Sequence, residues 1–120
     1  MATSVLWVDS EHLWAWTAHI EYLKESGFLV ETSKDTHFAD IVTNCKDKQV
    51  LIIHVGTSPR LTVSVMVVLF KVLRLIYPGI KIGLDTQAIP IGMKSSLDFT
   101  ITKPLSVYDL KDILLNVVSD

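Results

Sequence analysis

Four short apolar runs in this chain end in side chains able to do chemistry. Val5-Leu6-Trp7-Val8 leads into Asp9-Ser10-Glu11, and Leu51-Ile52-Ile53 leads into His54-Val55. Ile80 to Leu84 leads into Asp85-Thr86, and Phe99 to Thr102 into Lys103-Pro104. Carboxylates grouped with hydroxyl, imidazole and ammonium groups could hold a hard cation, accept a phosphoryl group or move a proton. Acid–base hydrolysis needs two carboxylates in diverging environments. Asp9 and Asp85 are the available pair, and nothing in the sequence suggests an oxyanion donor or a substrate cleft beside them. An imidazole metal site needs several ligands at workable spacing. His54 stands alone in its run, while His12, His19 and His37 are spread over predicted helices, so no metal and no cofactor is expected. Val55-Gly56-Thr57-Ser58-Pro59 has one glycine and a proline that removes a donor, which does not make a phosphate-cradling loop.

Whether these run ends meet depends on the elements that carry them. Strand-like and helix-like patterns alternate five times. Ser4 to Val8 reads as a strand, and His12 to Ser26 as a helix with Leu13, Trp16, Ile20 and Leu23 on one face, stopped by Gly27. Phe28 to Thr32 is a second strand, followed by a helix over Asp35 to Cys45 with Phe38, Ile41, Val42 and Cys45 in register. Val50 to Val55 is continuously apolar, as a strand covered on both faces should be. A long helix opens near Pro59 and runs to Tyr77, where Pro78-Gly79 ends it. Ile80 to Leu84 is the fourth strand, Phe99 to Thr102 a weak fifth, and Val107 to Val118 the last helix. Five βα units in one domain spanning residues 1–120 imply an α/β fold with a doubly wound parallel five-stranded sheet. Such sheets gather their sites at the carboxyl ends of the strands. That rule groups Asp9, Ser10, Glu11, His54, Val55, Asp85, Thr86, Thr102 and Lys103.

With these residues in place, the whole chain resembles the receiver domains of two-component response regulators, which have the CheY-like, flavodoxin-like (βα)5 topology. Val5 to Glu11 is similar to the family's opening strand and its paired acids. Pro78-Gly79-Ile80-Lys81-Ile82-Gly83-Leu84-Asp85-Thr86-Gln87 is similar to its fourth strand and sets Thr86 on the switch hydroxyl. Thr102-Lys103-Pro104-Leu105 is similar to its Lys-Pro turn, where the peptide before proline is often cis. The resemblance implies a pocket in which a carboxylate ending the third strand takes a phosphoryl group, two acids from the first strand hold Mg²⁺, and the lysine and hydroxyl bind phosphoryl oxygens.

The departures from that pattern are concentrated in the pocket. Ser10 stands where the second acid is expected. The phosphoacceptor place is His54 by spacing from the first strand, or Val55 counting back from Pro59, and neither supplies a carboxylate. Gln87 replaces a small residue and could fill phosphoryl space, and the stretch from Thr86 to Lys103 is short, so the fourth helix is expected to be truncated. The implied module is therefore an atypical pseudo-receiver, not an enzyme, without aspartyl phosphorylation. It is expected to work by protein–protein interaction in a two-component-type regulatory pathway. The alternative is an active switch, phosphorylated at an unorthodox residue such as His54 or binding a small anion or metal in the residual pocket. In the first reading His54 fills the vacated space, Lys103 pairs with Asp9 because a buried cation needs a counter-charge, and Asp85 lies at the pocket rim or serves as a replacement acid for Lys103.

Composition and surfaces bound the partners. A net charge of −2 with scattered Lys and Arg gives no footprint for nucleic acid. Cys45 is the only cysteine, which excludes a disulfide framework and a cysteine zinc site and reads as a core thiol. The start lacks a basic region before an apolar core, and the stretch Val63 to Phe70 is too short to span a bilayer. A cytoplasmic location without membrane insertion is expected. The third helix is apolar over almost all of Val63 to Phe70, more than one stripe needs. Some of it, with Val67 and Phe70 as candidates, is expected to face a protein partner or a second copy. Trp14 and Tyr22 on the first helix are further interface candidates, or else pack on neighbouring helices.

Overall fold

The first strand, β1 (Ser4–Val8), is all but fully buried and pairs in parallel with β2 (Leu29–Ser33) on one side and β3 (Val50–His54) on the other. β3 pairs with β4 (Lys81–Asp85) and β4 with β5 (Phe99–Ile101), giving one parallel sheet in the order β2-β1-β3-β4-β5. This is a computed structural model, and it describes residues 2–54 and 60–119. Alternation along the strands splits the core into two halves. Leu6, Val8, Leu51, Ile53, Ile82 and Leu84 face one side, where α2 (Phe38–Asn44) and α3 (Val63–Ile76) cover them. Val5, Trp7, Val50 and Ile52 face the other, beneath α1 (Thr17–Glu25) and α4 (Val107–Ser119). The doubly wound architecture expected from the pattern is present.

Several boundaries differ from expectation, each for a local reason. The segment expected as one helix from His12 divides into a 3-10 turn over Leu13–Trp16 followed by α1. The turn is tightened from below, because the Oδ1 of Asp9 accepts the backbone N–H groups of Glu11 (2.9 Å) and His12 (2.8 Å). α3 begins at Val63, where Thr62 caps it by accepting the Val65 N–H. The expected opening at Pro59 lies outside the described residues. Gly27 ends the α1 segment at φ +98°, a left-handed conformation that favours glycine. In place of a fourth βα helix, the β4–β5 connection carries only a 3-10 turn over Lys94–Ser96, as the short spacing suggested. Its seal over the sheet is made by Met93, fully buried, with Leu97 partly so.

The apolar surplus of α3 is real but distributed differently from the expectation. Met66, Leu69, Phe70 and Leu73 form the stripe against the sheet, so Phe70 is wholly buried and offers nothing to a partner. Positions 66, 70 and 73 recur at helical spacing, which is why Phe70 follows Met66 inward. Val67 is half-buried at the margin, while Val63, Val68, Leu75 and Ile76 are exposed. Among the described residues no helix is long and apolar enough to cross a membrane.

Candidate functional site

The sheet order reverses at β1, so the crevice between the carboxyl ends of β1 and β3 is the place where such folds bind ligands. Asp9 leaves β1 there, and His54 ends β3. The register sets Val8 beside Ile53 and His54 beside Asp85, the last residue of β4. Strand alternation decides the face: His54 shares the side of Val50 and Ile52, and Asp85 lies two residues beyond Gly83 on the same side. The ends of β1, β3 and β4 therefore meet. Val55, the alternative to His54, lies outside the described residues.

His54 sits between two buried carboxylates. Its Nδ1–H donates to the Asp85 carbonyl (2.9 Å), since a carbonyl can only accept. The same nitrogen is 3.8 Å from Asp9 Oδ2 and 3.7 Å from Asp85 Oδ2. The neighbouring Asp85 carboxylate holds the His54 pKa above its ordinary value. The charge of Asp9 adds to this, and partial burial opposes it. Asp85 is 4% exposed, which rules out the rim, the first of the two places expected for it. Trp7 explains it: the indole Nε1–H reaches past β3 to donate to Asp85 Oδ2 (3.4 Å), and a buried carboxylate needs such a partner.

Asp9 is buried as well, and its two oxygens have different fates. Oδ1 holds the amides of the following turn, while Oδ2 has no hydrogen-bond partner among the described residues. The turn also brings His12 back over the pocket, with ring centroids of His12 and His54 4.9 Å apart and His12 Nδ1 4.0 Å from Asp9 Oδ1. The expectation that the histidines stay apart is thus overturned for this pair. The signal was the Asp9-x-x-His12 spacing, which only the turn converts into proximity. Ser10 and Glu11 lie in the same turn, Ser10 half-buried and Glu11 exposed, with the Glu11 amide as their contribution.

Lys103 does not pair with Asp9. Its ammonium donates to the Ala15 carbonyl and lies 4.7 Å from the Trp16 ring centroid. The 3-10 turn offers that carbonyl, and an aromatic face stabilises a cation at this distance. The Lys103-Pro104 peptide is cis, as the resemblance implied. The Thr86 hydroxyl, buried at the end of β4, donates to the Ala88 carbonyl (2.8 Å) and accepts the Ala88 amide. Gln87 is exposed and does not fill the pocket. Of the interface candidates, Trp14 is 75% exposed, whereas Tyr22 packs edge-on against Tyr108 with centroids 5.2 Å apart.

The assembled site is therefore acidic and imidazole-rich, with its lysine turned aside and its hydroxyl locally bonded. No protein-family model and no curated protein sequence matches the chain. Solved structures do. A response regulator from Thermotoga maritima matches with a TM-score of 0.78 at 16% identity, covering 100% of both chains. A CheY-like receiver domain protein from Methanospirillum hungatei JF-1 matches at 0.76 and 14% identity, covering 99% of this chain and 95% of that one. The chemotaxis response regulator CheY4 of Vibrio cholerae matches at 0.73 and 21% identity, covering 98% and 99%. The chain has the CheY-like, flavodoxin-like fold, and its structural neighbours are response-regulator receiver domains.

Proposed function

We propose that this chain is a pseudo-receiver: a non-catalytic signalling module of two-component type that acts by binding a protein partner and is not phosphorylated on an aspartate. The observation that carries this reading is His54 at the end of β3, bonded to the Asp85 carbonyl and close to both Asp9 and Asp85. It fills the place where a receiver pocket needs a carboxylate. The diverted Lys103 supports the same reading, because its ammonium is engaged on Ala15 and Trp16 rather than available to an anion.

The same geometry disfavours phosphorylation of His54 or capture of a small anion. Either would set new negative charge beside two buried carboxylates, a repulsion that low-dielectric surroundings enlarge. Partner binding is assigned to the outer side of α3, where Val68, Leu75 and Ile76 are exposed and Val67 lies at the margin, with a second copy of the chain as the simplest occupant. Trp14 offers a separate aromatic anchor for a different protein. The test is a thermal melt with and without Mg²⁺ plus beryllofluoride, since a ligand of the folded state must raise the melting temperature. No shift is expected. A Mg²⁺-dependent rise would sink the pseudo-receiver reading.

A further inference from the structure

Asp9, His12 and His54 each offer one ligand atom, and these atoms all lie within 4.8 Å of one another. We propose that these three residues bind one divalent transition-metal ion, with zinc as the type case. The inference goes beyond the signalling reading and does not depend on it.

The argument begins with an unsatisfied atom. Asp9 is 1% exposed, and its Oδ2 is buried without a hydrogen-bond partner among the described residues. A buried carboxylate oxygen in that state costs free energy that a cation would recover. The Nδ1 of His12 is buried and without a partner in the same way, 4.0 Å from the other Asp9 oxygen. Two polar atoms left open in one cluster point to a ligand that accepts lone pairs from both.

The supporting bonds are those a metal site uses. Nδ1–H of His54 donates to the Asp85 carbonyl, which fixes the tautomer and leaves the lone pair on Nε2. Asp9 Oδ1 is anchored by two backbone amides, so the carboxylate cannot swing away from the space. Asp85 is anchored in turn by the Trp7 indole, and its carbonyl holds the His54 ring. In a tetrahedral zinc site neighbouring ligand atoms are about 3.3 Å apart, from metal–ligand distances near 2.0–2.1 Å. The observed spacing of up to 4.8 Å is wider than that, so binding would draw the three side chains closer together.

Ligand chemistry selects the class of metal. Two imidazoles and one carboxylate suit zinc, cobalt, nickel or copper, whereas magnesium prefers an oxygen shell near octahedral geometry. Bound there, the ion would tie the turn after β1 to the end of β3. The second cluster of similar residues, Asp35, His37 and Asp40, differs in kind. It is largely exposed, and its histidine already bonds Asp35 (2.9 Å).

The test uses the whole, tag-free chain stripped with a chelator, then titrated with Zn²⁺ against a chromophoric chelator and followed by thermal melts. One equivalent of Zn²⁺ is expected to bind and to raise the melting temperature, and Mg²⁺ at the same concentration to do neither. Cobalt should give the visible absorption of a low-coordinate site. His12→Gln, at a half-exposed position whose ring makes no hydrogen bond among the described residues, should stay folded by circular dichroism and lose at least about tenfold in zinc affinity. His37→Gln should bind as the parent does. Absence of stoichiometric zinc binding by the parent chain would overturn the proposal. So would equal affinity in His12→Gln, or loss of binding in His37→Gln instead.

Discussion

Replacing Asp9 with alanine tests whether the pocket carboxylate holds the local fold as well as facing the histidines. Its Oδ1 accepts two short backbone bonds, from Glu11 (2.9 Å) and His12 (2.8 Å). A hydrogen bond to a charged group contributes about 1.5–3 kcal/mol, so two give an upper range near 3–6 kcal/mol. Two effects reduce this. Glu11 is exposed, so water can replace the acceptor there, and alanine also removes the unsatisfied Oδ2. A net loss of about 3 kcal/mol is expected. At about 2.1 cal/mol/K per residue, the 120 residues give an unfolding entropy near 0.25 kcal/mol/K, so the melting temperature should fall by about 12 °C. Asp9→Asn keeps an acceptor at the position of Oδ1 and removes the charge, and should lie between the two. The assay is urea unfolding followed by fluorescence of the buried Trp7 and Trp16, with a chelator present to remove any metal contribution. If Asp9→Ala falls within about 0.5 kcal/mol of the parent, the size expected of an inconsequential surface change, the turn is not held by this carboxylate and the reasoning fails.

Two further predictions test the core. A Cβ added at Gly83 would stand 2.3 Å from the Phe99 ring, so Gly83→Ala should cost about 1–3 kcal/mol. Phe99→Leu in the same chain should restore part of it; fully additive losses in that double-mutant cycle would show the ring is not the obstacle. Burial pushes the Cys45 thiol up to about 12. Its folded-state pKa is thus above the unfolded value, so its contribution is fully present below about pH 9 and is lost as pH rises towards 12, by up to about 1.4 kcal/mol per unit. The stability advantage of the parent over Cys45→Ala should therefore be constant below pH 8 and shrink above pH 9. A gap that stays flat to pH 10.5 would contradict this.

The architecture was legible because strand and helix periods differ, and because parallel strands buried on both faces read as unbroken apolar runs. The strand-end rule was then enough to bring Asp9, His54 and Asp85 together. What escaped the sequence were contacts that depend on long reach or a local curl. Asp85 is buried because Trp7 satisfies it from β1, across the intervening β3, and nothing near Asp85 in the chain announces that donor. His12 joins the pocket because one Asp9 oxygen tightens the turn after β1, which a 3.6-residue period does not anticipate. Lys103 finds a carbonyl exposed by the same turn, so the counter-charge argument chose the wrong partner. Phe70 was misplaced because in a run almost entirely apolar the inward stripe cannot be told from its neighbours.

The β4–β5 connection has a consequence for how the molecule opens. Met93 is fully buried within a stretch where Ile91 is 98% exposed, and the strand beyond it, β5, is three residues long at the sheet edge. Local unfolding proceeds where few buried contacts hold a segment, so release of that thioether would loosen residues 87–96, between the ties at Thr86 and Asp98, and weaken the hold on the last strand, below the global unfolding free energy. Oxidising Met93 to the sulfoxide makes the same side chain polar and would hold the flap out. The amides of β5 should accordingly exchange their hydrogens sooner than those of β1 and β3, and a protease should first cut between β4 and β5.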